Sequence, residues 1–126
     1  MAELMTIAEI HDFGVEIVYG YLQKEGHEIA SVNTDLAMNP QIVARKDGLL
    51  QFIVVRTAVY PKKGTLDHQD RIKLVGHAIA AGARCYFASV GIANAAGTDD
   101  TELSQAEKGA GYHVAFDGIE RLHVLQ

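Results

Sequence analysis

The stretch NPQIVARKDGLLQFIVVRT, Asn39 to Thr57, holds side chains suited to gripping a charged ligand. Gln41 carries a neutral amide that both donates and accepts. Arg56 carries a guanidinium that keeps its charge near neutral pH. At a strand end such a group clamps a phosphate or a carboxylate through its fork, or it sits in a structural ion pair; the sequence leaves both open. A second set lies downstream, where Asp67, Asp70, Lys73 and His77 share one side of a helix. Carboxylates and imidazoles on one face can bind a metal. A charged solvent face is the commoner explanation, with Asp67 and His68 as capping residues. Lys73 and His77 are also candidate anion or ligand contacts beside Arg56.

Other chemistry is thinly represented. Cys85 is the one cysteine; lying in an apolar run, it reads as a reduced core thiol of a cytoplasmic protein. No Cys/His spacing supports zinc. Gly109-Ala110-Gly111 is not a dinucleotide fingerprint, which needs a strand before it and a helix after it. Lys62 and Lys63, with Arg45 and Lys46, suggest either a small basic rim or solvated loops. The net charge of −5, from 11 Lys and Arg against 16 Asp and Glu, is unfavourable to non-specific DNA binding, which rests on cations meeting phosphates. No apolar run approaches the ~20 residues that cross a bilayer, and MAELMTIAEI does not read as a secretory signal.

The elements that must position these residues are legible. A chain of 126 residues, 48% hydrophobic and 21% charged, suits one globular domain. Thr6 to Glu9 has the form of a capping box, and helical spacing then runs from Ile7 to about Glu25, before Gly26. A strand is expected over His27–Val32. A polar loop over Asn33–Pro40 follows. Ile42–Arg45 and Leu49–Thr57 read as a hairpin turning at Asp47-Gly48. The β-branched run Ile53-Val54-Val55 suits a strand buried on both faces. Asp67–Ala81 reads as a second helix with Ile72, Val75 and Ile79 as its buried stripe. Arg84–Val90 is a strand that Gly91–Gly97 should break, and the tract Asn94–Asp100 reads as a flexible, disordered loop. A short helix or turn is expected over Thr101–Lys108. Tyr112–Phe116 and Ile119–Val124 should form a C-terminal hairpin about Asp117-Gly118. The helix between Thr57 and Arg84 permits a crossover, so those two strands can be parallel neighbours.

The order helix, strand, strand, strand, helix, strand resembles the core of the restriction-endonuclease-like (PD-(D/E)XK) superfamily, near small bacterial Holliday-junction-resolvase-like proteins. Gly14, Glu16, Leu22 and Gly26 resemble the family's first helix. Pro40-Gln41-Ile42-Val43-Ala44-Arg45, Asp47-Gly48 and Phe52 to Thr57 resemble its motif hairpin. Lys73 and His77 fall where the next helix often carries a Lys or Gln facing the site. The resemblance implies an α/β domain, a mixed central sheet flanked by helices, with a core over 7–90 and a C-terminal extension over 91–126. It also implies former active-site positions at Glu16, Gln41, Val54 and Arg56. The departures fall on the chemistry: Gln41 stands for the family's Asp, Val54 for its Glu and Arg56 for its Lys. Mg²⁺ takes oxygen ligands and makes a nucleophile of water, and Val54 offers none. Arg56 keeps a positive charge but cannot act as a base.

The expectation is a non-catalytic nuclease-fold module for binding or assembly, a homodimer without a cofactor. Its partner would be a protein or a small anion, with nucleic acid left open and no membrane. The alternatives are a metal-dependent nuclease using Mg²⁺ or Mn²⁺ on relocated ligands such as Glu16, Asp67 or Asp70, and an anion or small-molecule binder in the former cleft.

Overall fold

Local signals start the chain as the sequence suggests. In the computed structural model, which describes residues 3–35 and 37–123, Thr6 Oγ1 accepts from Glu9 N at 3.2 Å and Glu9 Oε1 accepts from Thr6 N at 2.9 Å. This capping box opens α1, Ile7–Lys24, and Glu25 closes it. The strands β1 (Glu28–Val32), β2 (Ile42–Lys46) and β3 (Leu49–Val59) follow. β2 and β3 meet at a two-residue turn, Asp47-Gly48, whose φ angles of 53° and 77° are both positive. That is the conformation whose twist matches a hairpin. Helix α2, His68–Ala80, then crosses to β4, Arg84–Asn94, which runs parallel to β3.

The sheet is mixed, six-stranded, and ordered β1-β2-β3-β4, with β5 (Tyr112–Ala115) and β6 (Ile119–Arg121) both on the outer side of β4. A four-residue helix α3, Asp100–Leu103, precedes β5. β3 has apolar side chains on both faces because it alternates between two cores. Ile53 and Val55 pack with Val15, Val18 and Leu22 of α1. Phe52 and Val54 pack with Leu74, Val75 and Ala78 of α2. Fully burying one such aliphatic side chain stabilises by about 1.5–3 kcal/mol, so the central strand is the main anchor of the fold. Among the described residues no helix is long and apolar enough to cross a membrane.

Four expectations are corrected. The buried stripe of α2 is Leu74, Val75 and Ala78, whereas Ile72 and Ile79 are 49% and 65% exposed. Val75 belongs to both stripes, and α2 docks on Phe52 and Val54 by the one that carries Leu74 and Ala78. Gly91 does not break β4. The strand continues to Asn94, paired with Ala58 and Val59 of β3 through Gly91 and Ile92, and the missing side chain admits the Lys62-Lys63 segment: a Cβ there would lie 3.0 Å from Lys63 Cγ. The tract after it is an ordered turn. Asn94 is buried, accepts from Ala96 N and donates to Gln105 O, each at 2.9 Å, and Asp99 caps α3.

The C-terminal hairpin is replaced by one interrupted edge. β5 pairs with Gly91–Asn94 and β6 with Tyr86–Ala88, both antiparallel to β4. The chain therefore does not reverse at Asp117-Gly118. It bulges there, with Gly118 at φ 99°, and resumes along the same neighbour. Val124, the expected end of that hairpin, lies outside the described residues.

Candidate functional site

The hairpin brings two of its polar residues together where β3 runs out. Gln41 precedes β2 and is 1% exposed. Its Oε1 accepts from Val55 N at 2.8 Å and from Arg56 Nη1 at 3.4 Å. Its Nε2 donates to Asn39 Oδ1 at 2.8 Å and to Met38 O at 3.2 Å. Arg56 also donates to Val55 O at 3.0 Å and to Asn39 Oδ1 at 3.2 Å. Asn39, Gln41 and Arg56 thus form a closed amide–guanidinium network. Burial works to lower the Arg56 pKa and nearby Asp70 opposes it; the guanidinium remains charged at neutral pH.

Val54 is fully buried in the core under α2. These positions offer a divalent cation one amide oxygen that is already committed, a hydrocarbon side chain, and a guanidinium 3.4 Å from that oxygen. A hard cation takes several oxygen ligands, carboxylates foremost, so this donor set does not fit one. Glu16 does not join it. It is exposed on α1, the helix over the opposite face of β3 from Val54.

On the α2 side the sequence placed its residues better. Asp70, Lys73 and His77 line a recess of about 260 Å³ together with Leu74 and Asn39. The His77 ring lies 5.4 Å from that of Phe52. Asn39 joins this recess to the Arg56 network. Asp67 stands outside it and caps α2, accepting from Gln69 N at 2.7 Å. Of the two readings for the basic residues, a single rim is not the one formed. Arg45 and Lys46 lie beyond the start of β3 and Lys62 and Lys63 beyond its end, about 30 Å apart for a strand of 11 residues. Lys63 instead pairs with Asp117 at 3.2 Å.

On the α1 side the structure adds residues that the sequence reading passed over. His11 is 3% exposed and neither ring nitrogen has a partner; Thr57 Oγ1 is buried and equally without one. Both line a recess of about 230 Å³ with Arg56, Ile7, Ile10 and Val59. Burial first and the Arg56 charge second hold the imidazole below its ordinary value of 6.5, outweighing Asp12 and Asp35. The ring is therefore neutral at pH 7, with one N–H donor and one bare acceptor. A signal existed in the sequence: His11, Val15, Val18 and Leu22 fall on one helical stripe, so a histidine occupied an apolar face.

Among the described residues no cluster of His, Cys, Asp and Glu is arranged to hold a metal. Cys85 is buried, and burial raises its thiol pKa to about 11, so it is no thiolate at neutral pH.

Comparison with known proteins places the chain in a family without giving it a chemistry. No curated protein and no solved structure matches it. The family model of a domain of unknown function, DUF8840, matches residues 8–122, nearly the whole length, and the chain belongs to that family.

Proposed function

We propose that this chain is a restriction-endonuclease-like domain that binds rather than cleaves, its metal site replaced by a hydrogen-bonded clamp. The observation that carries the reading is the convergence of Gln41 and Arg56 at 3.4 Å, beside buried Val54, at the end of a hairpin followed by a parallel crossover. In the superfamily those positions would hold two carboxylates and a lysine. Here the oxygen that a metal would need accepts from Val55 N and Arg56 instead. The test is incubation with labelled duplex and branched DNA in Mg²⁺ or Mn²⁺. Intact DNA is expected. Metal-dependent cleavage that Glu16→Ala or Asp70→Asn abolishes would overturn the reading in favour of a nuclease with relocated ligands.

A second reading, an anion binder in the former cleft, is favoured by the recess that Lys73 and His77 share with Asn39. Arg56 is tied back to Asn39 and lends that side its charge.

The proposed assembly is a homodimer through a helix face and not through a sheet edge. Both edges are bulged, at Ile29/Ser31 in β1 and between β5 and β6, which blunts edge pairing. Ile72 and Ile79 stand exposed one above the other on α2 with Gly76 between them, a smooth apolar stripe that a second copy would cover. A sedimentation mass that halves in Ile72→Lys/Ile79→Lys supports it, and a monomer mass for the unsubstituted chain at tens of micromolar refutes it.

A further inference from the structure

We propose that the recess between the first turns of α1 and the end of β3 binds a small carboxylate carrying a short hydrocarbon tail. The site stands on its own geometry and does not depend on the ancestry argued above. His11 and Thr57 line it, and both nitrogens of the imidazole and the Thr57 hydroxyl are buried polar groups that the fold leaves unused. Polar groups this well buried are ordinarily bonded, and those left open call for a ligand or an ordered water. His11 is 3% exposed, whereas Gln41, at 1% and on the other face of the sheet, has its amide fully engaged. Orphan groups are thus not a general feature of this interior.

The chemistry of the recess selects the ligand. Thr57 O–H and one His11 N–H are donors suited to a carboxylate's two oxygens, and the Arg56 charge reaches the same wall, opposed by the more weakly felt Asp12 and Asp35. The start of α1 adds the positive end of a helix dipole on that side. The remaining lining is aliphatic: Ile10, Val59, and Ile7, which is 78% exposed at the mouth. An isoleucine that open to water is a lip for a hydrocarbon tail to cover. The volume of about 230 Å³ is below the ~300–1,000 Å³ of sites for drug-sized ligands, so the tail is short. Phosphate would satisfy the donors and leave the aliphatic half uncovered. An alcohol would cover that half and leave the Arg56 field unanswered.

Gly14 shapes the same wall. Thr57 fills the space its missing side chain leaves, so closely that a Cβ there would overlap Oγ1. This fixes the hydroxyl against α1 at Gly14, one helical turn from His11.

The test is titration of the ¹⁵N-labelled chain with butyrate, inorganic phosphate and butanol, followed by amide shifts. Butyrate is expected to give saturable shifts at Ile7, Ile10 and Thr57 to Val59, with a dissociation constant of about 1 mM for so few atoms. Phosphate and butanol should bind about tenfold more weakly or not at all. His11→Phe keeps the ring's bulk, and Thr57→Ala adds no atoms against Gly14. Each should weaken butyrate about tenfold while amides around Asn39 and Gln41 stay in place, which shows that the fold survives. No saturable butyrate shift at about 10 mM, equal binding of phosphate, or unchanged affinity in both variants would overturn the proposal.

Discussion

Two sets of polar groups meet the end of β3 from opposite faces, and they are finished differently. On one side Gln41 spends both ends of its amide on Val55, Asn39, Met38 and Arg56. On the other, His11 is nearly as deeply placed, and neither its ring nitrogens nor the buried Thr57 hydroxyl has a protein partner. A satisfied buried network specifies one backbone arrangement. An unsatisfied pair of groups lowers stability and is open to something from outside. The first is read as structure and the second as capacity, although the first set carries the residues that attract attention in the sequence.

The contrast can be broken at its strongest point. Gln41→Ala removes the acceptor for Val55 N–H and leaves a hole, so it should cost about 3 kcal/mol in urea unfolding. A loss below about 1 kcal/mol would mean that the network is ornamental. Next in size is Gly14→Ala, where a Cβ would overlap Thr57 Oγ1; overpacking of this kind costs about 2 kcal/mol. Adding Thr57→Ala should return most of that loss, and a coupling near zero in the double-mutant cycle would show that the two residues do not meet.

His11→Phe should change stability by less than about 1 kcal/mol in either direction, because it removes groups with no partners to lose. Its sharper signature is in pH. The folded imidazole sits below the ordinary value of 6.5, so the native state binds fewer protons than the unfolded one. Stability from this residue is complete above that value and drains as pH falls toward the lowered one. Melting curves between pH 7 and 5 should show a slope that His11→Phe reduces; identical slopes would remove the buried neutral histidine from the account.

Much of the fold was legible because it rests on local signals. The Thr6–Glu9 box, the Asp47-Gly48 turn and the apolar run Ile53 to Val55 each state their structure within a few residues. The errors lie where one sequence serves two arrangements. Asp117-Gly118 suits a hairpin turn or a bulge, and the choice depends on β4 being long enough to pair with both β5 and β6. Ile72 and Ile79 form as good a helical stripe as Leu74, Val75 and Ala78, and only docking on the sheet shows which one faces in.

The candidate site divides in the same way. Gln41 and Arg56 were legible as neighbours because a two-residue turn fixes the register between β2 and β3. Helical periodicity puts Lys73 and His77 on one side of α2, and both line the recess with Asn39. The sequence by itself therefore determined the elements up to the start of β4, the hairpin register and the side of α2 that carries its charges, all set by contacts a few residues apart. The tertiary structure alone decided that Glu16 stands apart and that His11 and Thr57 line one recess. Those relations join residues about 40 positions apart through the packing of α1 on the sheet. No local pattern records whether a buried imidazole finds a partner there.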